Sequence, residues 1–209
     1  KDVDFVSLVG CQSVTLEDVG GLQMSVLTDC SDTASLSSTN NQIFALAGKD
    51  TVFAGGGDDL IYGNKGEDSL LGAAGADTLY GGNGSDLIYG NINNDIIYGG
   101  KETDQVYGGV GNDVIYGNIS SDTLFGNLGN DTLFGGKGSD VLSGGGGGDL
   151  LLDGFGDDVF HGGPGDDIIR LGPGNDRGYG GLGADIFWLT GGGEDAVFDF
   201  TPAEGDRIQ

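Results

Sequence analysis

The sequence predicts an all-β fold, a two-sided solenoid of short parallel strands stacked in about eight coils of 18 residues. Three observations carry that prediction: an Asp at every ninth residue from Asp50 to Asp185, a Gly-rich stretch ahead of each Asp, and one apolar column behind it. With Asp at the sixth place of a nonapeptide, the first place is Gly in 12 of 16 units, the second is Gly or Asn in 14, and the fourth is Gly in 13. Gly and Asn enter left-handed backbone conformations cheaply, so this spacing describes one turn shape repeated many times. The eighth place is apolar in 15 units, from Val52 and Ile61 through Phe160, Ile169 and Phe187, with Gly178 the exception.

One apolar residue in nine cannot form a helical stripe, and Gly at this density melts helices. Each unit therefore reads as a turn followed by a three-residue strand. Such a strand is too short to stand alone, so the units must stack. Alternate units fall on opposite sides of a flattened solenoid, roughly 38 Å long at about 4.8 Å per coil.

Composition decides what such a coil attracts. The 209 residues include 46 Gly, 33 Asp or Glu and 8 Lys or Arg, for a formal charge of -25. That charge repels nucleic acid and anionic membranes and favours a cation as partner. Hydrophobic residues at 37% and aromatics at 9% argue against a disordered polyanion. No run of about 18 apolar residues appears, so no membrane insertion is expected, and the first residues lack the basic then apolar pattern of a signal peptide.

Stacking sorts the sixth-place residues into two columns. One holds Asp50, Asp68, Asp86, Asp104, Asp122, Asp140, Asp158 and Asp176, the other Asp59, Asp77, Asp95, Asp113, Asp131, Asp149, Asp167 and Asp185. Carboxylates about 5 Å apart repel unless a cation separates them. An all-oxygen site of carboxylates and Gly-exposed carbonyls suits Ca2+; zinc or copper wants the His and Cys that this chain nearly lacks.

Units such as Gly81-Gly82-Asn83-Gly84-Ser85-Asp86-Leu87-Ile88-Tyr89 resemble the Gly-Gly-x-Gly-x-Asp-x-apolar-x nonapeptide of the RTX (repeats-in-toxin) family. The resemblance implies a right-handed parallel β-roll with calcium between successive turns on each side. It passes a carboxylate-ligand role to the sixteen Asp above. It passes a main-chain carbonyl role to Gly55, Gly57, Gly82, Gly84, Gly109, Gly111, Gly136, Gly138, Gly145, Gly147, Gly154, Gly156, Gly163, Gly165, Gly172, Gly174, Gly181 and Gly183. Roughly 14 ions, about 28 positive charges, would then nearly neutralise the chain. Units with Asn93, Glu102 or Ser120 at the fourth place, or Asp153 or Leu171 at the first, depart from the pattern. Glu102 and Ser120 are expected to weaken or distort their sites. Asp58, Glu67, Asp157 and Asp166, just before the ligand position, read either as extra ligands or as solvated turn residues.

The expected organisation is an N-terminal β-rich cap or the end of a preceding β-helical domain over residues 1–44, the repeat roll over 45–188, and a C-terminal capping segment over 189–209. After Asp185 the register slips by one residue. Cys11 and Cys30 are the only cysteines, and form a disulfide or remain buried thiols. Their setting is expected to be secreted or cell-surface, with type I export compatible with the sequence.

Ninth-place residues point outward. Tyr62, Tyr80, Tyr98, Tyr116, Phe134 and Trp188 fall on one face, and Phe53, Tyr89, Tyr107, Phe125 and Tyr179 on the other. These faces serve either as aromatic ladders between stacked strands or as surfaces for self-association or a neighbouring domain. The sole His, His161, is outward and lacks a nucleophile in a suggestive context, so no catalytic role is expected. The function expected is a calcium-binding structural module that folds on binding and supports extracellular assembly or adhesion. The alternative is a C-terminal secretion and folding-assist domain of an exported hydrolase, epimerase or toxin.

Overall fold

The computed structural model describes residues 5–7, 14–15, 23–36, 39–152 and 154–209. Every regular element among them is a strand. Successive strands alternate between a 12-stranded and an 11-stranded sheet, and each strand pairs in parallel with the strand two places on. Leu79 therefore faces Ile97 and Ile97 faces Ile115, a register of 18 residues per coil. The chain is a two-sided parallel β-solenoid, as its repeat predicts.

The strands are longer than the three residues expected. Leu60–Lys65 and Val114–Ile119 each contain six, because the second and third places of the next unit rejoin the ladder. The ladder skips the first place: Tyr62 pairs with Tyr80 and Asn64 with Gly82, leaving Gly63 at a bend between two half-strands. Side chains of the eighth place and the backbone of the first are buried, while the seventh, second and ninth places are mostly half-exposed. Asn118, at a second place, holds φ of 81° and Ala73 holds 85°, so this corner accepts residues other than Gly.

The core is a double file of eighth-place side chains. Ile61, Leu79, Ile97, Ile115, Leu133, Leu151 and Ile169 come from one sheet, and Val52, Leu70, Ile88, Val106, Leu124 and Leu142 from the other, all fully buried. The two breaks in the pattern explain each other. A Cβ at Gly178 would lie 3.0 Å from the Phe187 ring and 3.7 Å from Leu171, so those larger side chains fill the volume that Gly178 leaves.

The sheets continue beyond the roughly eight coils that the nonapeptides predict. Gln23–Val26 and Asn41–Phe44 join one sheet, and Val14–Thr15 and Thr33–Ser35 the other, all in parallel. At the other end Ala196–Val197 pairs with Arg177–Leu182, after the one-residue slip, and Arg207–Ile208 pairs with Ile186–Leu189. Cys11 lies outside the described residues, as does Asp153.

The core is only two files wide, so a truncation leaves a cavity with little around it to collapse. Ile115→Ala should cost about 2–5 kcal/mol, measured by denaturant unfolding with calcium saturating. Ile119→Ala, at a position 46% exposed, should stay within about 0.5 kcal/mol.

Candidate metal centre

The turn between successive strands places every sixth-position Asp inside the solenoid wall. All sixteen are at most 3% exposed. Their carboxylates form a ladder in which the backbone N–H of each Asp donates to Oδ1 of the Asp one coil on. Asp68 donates to Asp86, Asp86 to Asp104 and Asp104 to Asp122, each at 2.8 Å. The second column repeats this from Asp59 to Asp77 and from Asp77 to Asp95, also at 2.8 Å. Stacking thus brings the predicted residues into two continuous rows.

The second carboxylate oxygen has no such partner. Oδ2 is buried without a hydrogen bond in Asp50, Asp59, Asp68, Asp77, Asp86, Asp95, Asp104, Asp113, Asp122, Asp131, Asp149, Asp167 and Asp185. A buried anionic oxygen left in this state costs several kcal/mol unless a positive charge reaches it. Where it points is shown by the first-place glycines. A Cβ at Gly81 would meet Asp86 Oδ2 at 2.5 Å and the Gly99 carbonyl at 2.4 Å. At Gly126 the same atoms, Asp131 Oδ2 and the Gly144 carbonyl, stand at 2.3 and 2.6 Å. Carboxylate and carbonyl oxygens therefore converge on one small space in each coil.

Fourth-place carbonyls form a further oxygen row. A Cβ on Gly84 would sit 1.7 Å from the Gly66 carbonyl oxygen, and one on Gly129 equally close to that of Gly111, so positive φ and no side chain are required there. Among the described residues no backbone amide donates to the carbonyls of Gly66, Gly111, Gly129, Gly147 or Gly165. No cluster of three or more His, Cys, Asp or Glu side chains occurs among the described residues, so a cation here draws on main-chain oxygens as well as carboxylates. Orphaned carboxylate oxygens beside first-place carbonyls, together with a row of unpaired fourth-place carbonyls, make an all-oxygen donor set, which fits a hard cation of calcium type.

Glu102 and Ser120, expected to resist the turn, take φ of 67° and 86°, beside 80° for Asn93. The disturbance falls on a neighbouring coil. Glu102 Oε2 captures the Gly84 N–H at 2.9 Å, and the bond from that N–H to the Lys101 carbonyl stretches to 3.4 Å.

A second, outer ladder was not anticipated. Fifth-place side chains accept the backbone N–H of the fifth place one coil on: Asn94 from Asn112, Asn112 from Asn130 and Asn130 from Gly148, each at 2.8 Å. Asp58 accepts from Ala76, Asp157 from Asn175 and Asp166 from Ala184, each at 2.9 Å. These acidic residues are exposed and already engaged with amides. Glu67 pairs with Lys49 at 3.3 Å, an exposed contact worth at most about 1 kcal/mol.

The inner ladder also runs past the repeats. Asp176 donates to Asp195 Oδ1 at 3.2 Å and Asp185 to Asp206 Oδ1 at 3.0 Å. Asp206 Oδ2 accepts the Thr201 N–H at 2.6 Å, so the last rung is closed by its own backbone. Asp199 takes the N–H groups of Gly180 and Gly181 at 2.8 and 2.9 Å.

Burial pushes the ladder carboxyls upward against the lowering effect of the amide bonds. Asp95 and Asp104 rise to about 8, Asp50, Asp59, Asp86, Asp122, Asp131 and Asp167 to about 7, and Asp68 and Asp77 to about 6. Neighbouring carboxylates add to most of these shifts. In an open chain the same groups ionise near 3.8. Below that value both states are neutral and folding is unopposed by charge; as pH rises through 6 to 8 the metal-free fold must carry buried anions and loses stability. Far-UV circular dichroism in chelator should therefore show strand signal growing as pH falls from about 8 to about 5. Loss of strand signal over that range would contradict the assignment.

Comparison with known families agrees with this geometry. A family model described as the RTX calcium-binding nonapeptide repeat (four copies) matches residues 36–70, 62–97, 71–106, 89–123, 98–133, 116–151 and 152–187. No curated protein matches the chain. The matched segments run without a gap from residue 36 to 187 and coincide with the two aspartate columns, so the chain belongs to the RTX calcium-binding nonapeptide-repeat family.

Proposed function

We propose that the chain is a calcium-dependent structural module of a secreted or cell-surface protein, folding as calcium binds and presenting its two faces for extracellular assembly or adhesion. The observation that carries this reading is the double row of buried, half-satisfied carboxylates. The sixteen ladder aspartates and the turn carbonyls, those of Gly66, Gly84, Gly111 and Gly147 among them, would hold the ions. Bound calcium supplies the positive charge that offsets the buried anions and coordinates the oxygens the backbone leaves unpaired. About 14 ions remain our expected number.

The faces support assembly unequally. On one sheet Phe44, Tyr62, Tyr80, Tyr98, Tyr116 and Phe134 stack in an unbroken row at 4.6–5.0 Å between ring centroids. Those rings are spent largely on one another and brace the coils, at about 0.5–1.5 kcal/mol per pair. The opposite sheet is interrupted, with Leu71 between Phe53 and Tyr89 and Ser143 between Phe125 and His161. Beside its short aromatic rows runs a shallow groove that includes Leu71, Ile92, Val110 and Leu128, the last three 53%, 52% and 59% exposed. That apolar groove favours the assembly reading over a module that serves only to help an upstream domain fold and leave the cell.

A calcium titration followed jointly by far-UV circular dichroism and static light scattering tests the proposal. The expected course is a largely unstructured chain in chelator, gain of strand signal with calcium, and growth in scattering mass after folding. Full strand content in excess chelator would sink the folding claim, and a calcium-loaded chain that stays monomeric at high concentration would sink the assembly claim.

A further inference from the structure

Two rungs precede the nonapeptides, and they end their columns differently. Asp32 stands 18 residues before Asp50, and Asn41 stands 18 before Asp59. Both belong to the inner ladder: the Asp32 N–H donates to Asp50 Oδ1 at 2.7 Å and the Asn41 N–H to Asp59 Oδ1 at 2.6 Å. They are 3% and 2% exposed.

Asp32 is satisfied on one oxygen only. Oδ2 accepts the Thr28 N–H at 2.7 Å and the Thr28 hydroxyl at 2.6 Å, much as a repeat carboxylate accepts the amide of the coil before it. Oδ1 is buried with no hydrogen-bond partner, the condition of the second oxygen in the repeat rungs. The fourth-place carbonyl of this coil is that of Cys30, and its oxygen lies 2.4 Å from where a Gly48 Cβ would stand, so the carbonyl row of the repeats extends to it.

Asn41 answers the same positions with hydrogens. Its Nδ2 donates to the Thr39 carbonyl, the fourth place of its own unit, and to the Ala54 carbonyl, the first place of the next coil, at 3.4 Å for the latter. In the repeat rungs the matching oxygens face a carboxylate that has no hydrogen to give, as Asp86 Oδ2 and the Gly99 carbonyl do beside Gly81. Asn41 Oδ1 is also buried without a hydrogen-bond partner, but it is a neutral amide oxygen, and the NH2 group beside it occupies in this column the role left for a cation in the other.

We propose that Asp32 holds a further divalent cation of calcium type, ahead of the glycine-bearing nonapeptides, and that Asn41 closes its column without one. The inference rests on the calcium reading of the repeats but separates from it experimentally. In anomalous diffraction from calcium-loaded crystals, peaks should appear along the repeat aspartates and at Asp32, with none at Asn41. Peaks at the repeats but none at Asp32, or a peak at Asn41, would overturn the proposal and leave the repeats intact. No peaks anywhere would remove the calcium reading itself, and the proposal with it. Native mass spectrometry gives an independent count: Asp32→Asn should bind one ion fewer than the native chain and Asn41→Asp one more. An unchanged count in either folded variant overturns the proposal, and if Asp32→Asn fails to fold, Asn41→Asp and the diffraction result decide.

Discussion

The solenoid depends on carboxylates that are half satisfied. One oxygen accepts the amide of the preceding coil and fixes the 18-residue stagger; in thirteen of the repeat rungs the other is buried without a hydrogen-bond donor. The first interaction sets the geometry, and the second sets the conditions under which that geometry is tolerable. Thirteen such oxygens without partners are more than the core can offset, because its apolar contribution is about one buried side chain per unit. Under the proposed function, folding of the chain and binding of cations are one process.

The architecture is close to one-dimensional, since a coil touches only the coils before and after it. The ends therefore need their own chemistry. At the C-terminus Thr201 gives its N–H to Asp206, and Asp199 takes two glycine amides. At the N-terminus Asn41 supplies amide hydrogens to two carbonyls. These contacts substitute directed hydrogen bonds for ionic ones where a column stops, with no change in the backbone ladder.

Most of the fold and the inner ladder could be read from the sequence, because a period of nine with Gly and Asp at fixed places admits few structures. The strand length could not. Places one to three look like turn in composition, yet the second and third rejoin the ladder once Gly63 or its equivalent bends the strand. The outer ladder had a signal in the recurrence of Asn, Ser and Asp at the fifth place, which is silent until stacking aligns them. Asp32, Asp195 and Asp206 were hidden for a different reason. Asp32 keeps the period of nine through Asn41, but its unit contains no glycine, whereas Asp195 and Asp206 stand 19 and 21 residues after the previous rungs of their columns, off the period of nine. Gly178 looked like a flaw in the core; only packing shows Phe187 and Leu171 filling its place.

On the proposed function, uncompensated buried charge, more than the thin core, keeps the metal-free chain unfolded. Asn41 shows how a carboxamide fits a rung, with its own N–H still bound to the next carboxylate. The most direct test is the far-UV circular dichroism, in chelator at neutral pH, of a chain carrying Asp77→Asn, Asp95→Asn, Asp113→Asn, Asp131→Asn and Asp149→Asn together, measured beside the native chain. Strand signal in the substituted chain that the native chain lacks is the predicted result. A substituted chain no more folded than the native one, or a native chain already fully folded, would contradict it.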